Sequence, residues 1–283
     1  MQVFPVINRD MSQHFLLDQI GVRGAIVRIN SSYQNLLKQH SYSAEVQKLL
    51  GEAVLACVLL AGWLKVAGNV SLHMESDTEL SNLFVQCNHE LQIRAVARSC
   101  LRESLTGNML ITRSQDSNTN IQQSILPQIS PEICENIIHY FTHSEQIETR
   151  LWFAVQDGQA AGLLVQRLPA PGLESFDSAW QSVIMNGSAI SQHDLLMQDN
   201  FELIKRLDSG ANPCLYTPRG ICFHCGCTVE KMRQALSVVD PSELAGWFAA
   251  QEFISMQCEF CSKKFTFDPS AGGRACGSDQ SMK

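Results

Sequence analysis

The sequence predicts an α+β protein with three parts: an N-terminal mixed α/β core domain over residues 1–171, a helical linker over 172–220 and a small cysteine-rich domain over 221–283. Three observations carry this. Strand-like and helix-like patterns interleave as far as Leu168, where Pro169, Pro171 and Gly172 break the chain. From the break to Leu207 the apolar residues fall at helical spacings. Of 11 cysteines, Cys222, Cys225, Cys227, Cys258, Cys261 and Cys276 crowd the C-terminal end, while Cys57, Cys87, Cys100, Cys134 and Cys214 are scattered singly.

Gly24 to Ile29 reads as a strand. Ser43 can cap a helix from Ala44 toward Lys65, with Val46, Leu49, Leu50, Ala53, Val54 and Cys57 along one side. Its apolar run, Ala53 to Leu64, falls short of the roughly 18 residues that span a bilayer, so it predicts a buried helix. β-rich stretches follow at Asn69–Met74, Leu91–Ala97 and Asn108–Thr112. Ser130 as cap, Pro131 as first helical residue and Glu132 in the first turn predict a helix through Ile133, Ile137, Ile138 and Phe141. Trp152–Val155 and Ala161–Leu168 read as a hairpin through Gln156, Asp157 and Gly158.

In the linker, Phe176, Trp180, Val183 and Ile184, then Leu195, Leu196, Phe201, Ile204 and Leu207, define two short amphipathic helices separated at Asn186 and Gly187. Such helices cannot bury their apolar faces on each other alone, so they must lean on something else. Beyond them, Thr228–Val239 reads as a helix. Asp240, Pro241 and Glu243 supply a cap, a first-turn proline and a capping-box glutamate for another, and Phe253–Asp268 reads as strand around a two-cysteine turn.

Composition narrows the function. With 45% hydrophobic and 17% charged residues the chain is globular, and its net charge of -7 argues against a general nucleic-acid or anionic-membrane binder. The N-terminus shows no signal-peptide pattern, which predicts a cytoplasmic protein whose thiols are kept reduced. Cysteines there point to metal binding, thiol chemistry or burial rather than to a disulfide scaffold. Scattered Cys57, Cys87, Cys100 and Cys134 read as small buried hydrophobes.

Cys225-Gly-Cys227 and Cys258-Glu-Phe-Cys261 are separated by about thirty residues, and four thiolates at about 2.3 Å are the tetrahedral set that Zn²⁺ prefers. Gly226 eases the backbone path between ligands only two residues apart. The spacing leaves a choice open: Cys222-Phe-His-Cys225 is itself a CxxC, so Cys222 and Cys225 could instead join Cys258 and Cys261 in the ordinary ribbon arrangement, which geometry alone favours, and His224 is a fifth candidate. A static structural zinc ribbon fits these residues as well. So close a set of thiols also invites oxidation, because a zinc-bound thiolate stays nucleophilic although the metal is redox-inert.

The pattern CxC, about thirty residues, then CxxC resembles the redox-regulated 33-kilodalton chaperonin (heat-shock protein 33) family. Further matches are Val22-Arg23-Gly24 after an aromatic-containing N-terminal helix, the Leu49–Lys65 helix, Arg94 to Arg98, Gly107-Asn108, Tyr140-Phe141, Ser144 to Gln146 and Thr149-Arg150. The resemblance implies one zinc ion on Cys225, Cys227, Cys258 and Cys261. It implies that oxidation pairs Cys225 with Cys227 and Cys258 with Cys261, and that Cys222 is a bystander. It implies no catalytic residue and no enzymatic activity, but an ATP-independent holdase that binds unfolding or oxidatively damaged proteins and forms a homodimer when oxidised. Linker residues Trp180, Ile184, Phe201 and Ile204 are its candidate client-binding positions. No Gly-rich phosphate loop ending in Lys-Ser or Lys-Thr occurs. Two features depart from the family: Ile147-Glu148 stands where a proline is usual, and Cys222 and Cys276 add thiols near the switch.

Two rival readings are weaker. A nucleic-acid-binding zinc module conflicts with six Lys and Arg against seven Asp and Glu from Ile221 to Lys283. A thiol-disulfide oxidoreductase built on Cys258 and Cys261 would carry its CxxC near the N-terminus and needs no second cysteine pair.

Overall fold

A computed structural model of the chain describes residues 10–76, 82–98, 107–115, 121–169, 175–210, 212–250 and 253–268. The chain divides into two compact units, the first ending at His224 and the second starting at Cys225.

The first unit opens with β1 (Met11–Leu17) and β2 (Val22–Ile29), antiparallel with Met11 opposite Arg28. The aromatic-containing helix expected before Val22 is thus a strand followed by a single 3-10 turn at Asp18–Ile20. Seven residues are too few for a self-sufficient helix, and ladder partners on both edges of β1 override the local preference. Next come α1 (Ser31–Leu37) and α2 (Ala44–Ala61), the latter capped as expected by Ser43, whose hydroxyl accepts from the Val46 amide at 3.4 Å. α2 stops at Ala61, short of the expected Lys65.

An antiparallel set follows: β3 (Gly68–Ser76), β4 (Asn82–Asn88), β5 (Gln92–Arg98), β6 (Gly107–Gln115) and β7 (Ile121–Pro127). Then come α3 (Ile133–His143), β8 (Thr149–Gln156) and β9 (Gln159–Arg167). The Ser130 cap and Pro131 start are corrected. The Ser130 hydroxyl accepts from the Glu132 amide, making a local turn, and the helix begins two residues beyond Pro131. Asn136, buried on the first turn, reaches back and takes the Ile129 amide at 2.9 Å. The β8–β9 hairpin turns as expected through Asp157 (φ 52°) and Gly158 (φ 72°), the two left-handed positions of a type I′ turn.

The linker holds three helices, α4 (Ser175–Ser188), α5 (Gln192–Met197) and α6 (Asn200–Lys205), where two were expected. Gly187 does not separate them; it lies within α4, where it lets the helix approach Trp152. The break comes later, at Ser191 and Asp199, whose side chains cap α5 and α6. Three two-residue strands close the unit: β10 (Cys214–Leu215), β11 (Arg219–Gly220) and β12 (Cys222–Phe223).

One sheet has the order β10-β1-β2-β9-β8, with β11 also on β1; the other runs β12-β5-β4-β3-β6-β7. α2 packs against β3, β4 and β5 of the second sheet and β2, β8 and β9 of the first, so it is buried nearly all round. The first sheet is covered on both faces. Ala25, Val27 and Ile29 point toward α2, while Val22 and Ile26, with Phe15, Leu17, Ala154, Ala161, Leu163 and Val165, meet Trp180, Val183, Leu195, Leu203, Ile204 and Leu207 of the linker. That sheet face is the support the linker helices required.

The second unit contains α7 (Val229–Leu236), α8 (Pro241–Ala250), β13 (Ile254–Gln257) and β14 (Lys264–Phe267). The last two form a hairpin with Ile254 opposite Phe267. No helix among the described residues is long and apolar enough to cross a membrane.

A methyl group at Gly187 would sit 2.4 Å from the tip of the Trp152 ring. Gly187→Ala is therefore expected to push α4 off β8 and to cost about 1–3 kcal/mol. A lower urea midpoint for the full chain is the expected reading; an unchanged midpoint contradicts this packing.

Candidate metal centre

The site is assembled from two turns of the second unit. Cys225 and Cys227 precede α7, whose cap, Thr228, accepts from the Lys231 amide at 3.3 Å; the Lys231 ammonium donates to the Gly226 carbonyl at 2.6 Å, bracing the loop between the two cysteines. Cys258 and Cys261 lie in the tight turn joining β13 to β14. There the Cys258 amide donates to Lys263 O and the Ser262 amide to Cys258 O, both at 2.9 Å. Ser262 turns the chain with φ 55°, a left-handed conformation that glycine would adopt at less cost. Gly226 does not take up such a conformation; among the described residues the left-handed glycines are Gly21 and Gly158.

All four Sγ atoms lie within 4.8 Å of one another. Cys225 and Cys258 approach to 3.5 Å, and Cys227 and Cys261 to 3.4 Å. A disulfide would need about 2.05 Å, whereas sulfurs at the corners of a tetrahedral zinc site stand about 3.8 Å apart. The four thiols are free, and their spacing fits a single thiophilic cation. Cys258 is buried and the other three are half-buried.

Electrostatics asks for a cation. Burial pushes the Cys225 thiol up to about 11, with the neighbouring Cys258 and Cys261 adding to the rise. Burial, then Cys261 and Cys225, raises Cys227 as well. Burial also opposes ionisation of Cys258, but the amides of Phe260 and Cys261 point at its sulfur and, with the Cys225 and Cys261 thiols, hold it below the usual thiol value. Backbone donors thus favour a thiolate at Cys258, while burial holds Cys225 and Cys227 in the thiol form unless a positive charge stands at the centre.

The structure brings together Cys225, Cys227, Cys258 and Cys261 and leaves out Cys222 and His224. Cys222 is exposed on β12, its amide donating to Leu91 O at 3.3 Å, and the His224 amide donates to Ile93 O at 3.0 Å. These two residues are tied to the edge of β5 in the first unit. Sequence spacing could not show this, because a two-residue strand has no pattern of its own. Of the other cysteines, Cys57 and Cys87 are buried with raised thiol values, burial being the main cause, and Cys134 is pushed up to about 12, mainly by burial. Cys100 and Cys276 fall outside the described residues.

The candidate client-binding residues lie on the linker in different settings. Trp180 and Ile204 are buried against the first sheet, Ile184 is half-buried, and Phe201 is 37% exposed.

An α+β core followed by a small unit in which four thiols could hold a metal ion is unlike a thioredoxin-like enzyme, since Cys258 and Cys261 join two strands instead of opening a helix. Comparison with known proteins makes this specific. The family model described as Hsp33 protein matches residues 10–268. A 33 kDa chaperonin of Nitrosococcus oceani is 30% identical over 268 residues, covering 92% of each chain. One of Methylobacillus flagellatus is 32% identical with the same coverage. The crystal structure of the 33 kDa chaperonin (heat shock protein 33 homolog) of Thermotoga maritima shares the fold at a TM-score of 0.80, with 20% identity over 92% of this chain and 96% of that one. The chain belongs to the Hsp33 family, and its class of activity is that of a chaperone.

Replacing Cys225 or Cys258 by Ser is expected to abolish stoichiometric metal binding in the reduced protein, as measured by elemental analysis after gel filtration. Cys222→Ser should retain it. Loss of metal in the Cys222 variant would overturn the ligand set.

Proposed function

We propose that the chain is a redox-regulated, ATP-independent holdase, silent while reduced and zinc-loaded, and activated when Cys225, Cys227, Cys258 and Cys261 are oxidised. The observation that supports this reading is a thiol-only cluster packed into the core of a small unit, where, among the described residues, Leu236, Ile254, Phe265 and Phe267 are the buried apolar side chains beside Cys258. When bound, zinc supplies a redox-inert centre that holds four thiolates together while leaving their sulfurs nucleophilic.

In this reading residues 1–171 are the core, 172–220 the redox-sensitive linker and 221–283 the switch domain. Cys225 and Cys227 form one disulfide, Cys258 and Cys261 the other. Each pair of thiolates gives up two electrons to hydrogen peroxide: the S–S bond forms as the O–O bond breaks, and the two oxygens leave as water with protons drawn from solvent. Two disulfides leave no thiolate to hold the metal. A domain this small with so few buried apolar side chains does not hold its fold unaided. With that domain unfolded, α4 to α6 loosen from the core sheet, and apolar side chains around Trp180, Ile184, Phe201 and Ile204 become available to unfolding proteins. The active form is a homodimer that works in the cytoplasm, binds neither nucleic acid nor membrane, and performs no catalysis.

The test compares reduced, zinc-loaded protein with peroxide-treated protein in suppressing light scattering by a heat-unfolded client, while released zinc is followed with a chromogenic chelator. Protection near one chaperone per client only after oxidation, in step with zinc release, is expected. Equal protection by the reduced form would sink the switch.

A further inference from the structure

Arg28 lies on β2 in register with Val22 and Ile26, on the face covered by the linker, and is 8% exposed. Its Nε donates to the Leu195 carbonyl at 2.9 Å, its Nη2 to the Gln198 carbonyl at 2.5 Å, and its Nη1 to Asn200 Oδ1. Asn200 Nδ2 in turn donates to Gln13 Oε1 at 2.7 Å, and Gln13 Nε2 to the Tyr216 carbonyl at 2.9 Å. One arginine of the core sheet thereby grips the end of α5 and the start of α6, and the chain of bonds continues through β1 to the residue after β10.

The partners explain why the grip matters. α5 and α6 have six residues each, about half the length at which an isolated helix becomes even marginal in water. The last carbonyls of a helix have no partner within it. Two carbonyls at the C-terminal end of α5 find theirs in Arg28, so the local order of the linker is completed by a residue outside it. Dependence runs the other way too. Burial lowers the Arg28 pKa to about 10, with Asp199 opposing the shift, so the group stays charged at neutral pH. A buried charge stripped of its acceptors is strongly unfavourable. Fraying of α5 or α6 by a residue or two would strip it without hydrating it, so the pair must leave together.

We infer that Arg28 is the latch of the linker, a positioning residue that holds α5 and α6 on the core sheet as one unit and sets how readily the linker opens. This regulatory role rests on the switch proposed above. It concerns the linker's own fastening rather than the cysteine chemistry.

The test uses full-length Arg28→Met, Arg28→Lys and Asn200→Ala proteins, reduced and zinc-loaded, with two readouts. Hydrogen exchange of residues 192–205 is expected to quicken at least about tenfold in Arg28→Met, with β2 and β9 amides and zinc content unchanged. Suppression of client aggregation without any oxidant should appear in the same variant. Arg28→Lys, which keeps the charge and part of the donor set, should fall between Arg28→Met and the parent. Unchanged exchange in 192–205 would overturn the latch. So would faster exchange in variants that stay as silent when reduced as the parent, provided the oxidised parent protects. If Arg28→Met fails to fold, Asn200→Ala decides: faster exchange in 192–205 supports the latch, and exchange like the parent's overturns it. An oxidised parent that gives no protection would refute the holdase instead, leaving the exchange readout to judge the latch.

Discussion

The second unit has sulfur where a larger domain has hydrocarbon. Its buried cluster is Leu236, Ile254, Cys258, Phe265 and Phe267, and three of the side chains packed against that cluster are Cys225, Cys227 and Cys261. The cysteines are therefore part of the core and not an ornament on it. Metal binding by four thiolates is worth about 10–16 kcal/mol in peptides of this kind, more than so small an apolar cluster supplies. Whatever happens to these sulfurs is thereby converted into folding free energy. In the proposed switch, a pair of two-electron oxidations at one point decides whether that unit keeps its fold.

The first unit is organised the other way. α2 is buried between two sheets, and one of those sheets is buried again on its far face by the linker. That double coverage gives one sheet two packed faces, one on α2 and one on α4 to α6. Removing α4 to α6 would leave the α2 side of the sheet packed while uncovering Phe15, Leu17, Ile26, Leu163 and Val165 together with the linker's own apolar side chains. The linker helices are short, and they hold to the sheet by apolar burial, the buried Arg28, the Asn200–Gln13 hydrogen bond and an ion pair between Arg167 and Asp177. Segments held by few contacts lie at the low end of local stability, where functional motion is found.

Several features were legible from the sequence because a single local rule decides them. Asp157-Gly158 between alternating strands demands a type I′ turn, and Ser43 ahead of a long apolar helix demands a cap; both are present. That a set of C-terminal cysteines could hold a metal ion was legible from spacing and ligand chemistry, while the choice of Cys227 over Cys222 came with the family resemblance. What could not be read depends on partners distant in sequence. The Met11–Leu17 segment is a strand because β2, β10 and β11 flank it. β7, with the polar run Gln122, Gln123 and Ser124, is a strand because β6 pairs with it. Gly187 read as a breaker, yet it is small because Trp152 lies against it. Ser262 in the left-handed region and Arg28 under the linker carry no sequence signature at all. In the structure the exclusion of Cys222 rests on a two-residue strand that ties it to β5.

The proposed switch requires that the cysteine cluster and the linker be energetically coupled. Hydrogen exchange of the full-length protein, reduced with zinc and then after peroxide, tests it most directly. Oxidation should abolish protection across α7 and the β13–β14 hairpin and, in the same molecules, across α4 to α6, while β2, β9 and α2 remain protected. Loss of protection confined to the second unit, with α4 to α6 as slow to exchange as before, would contradict the account.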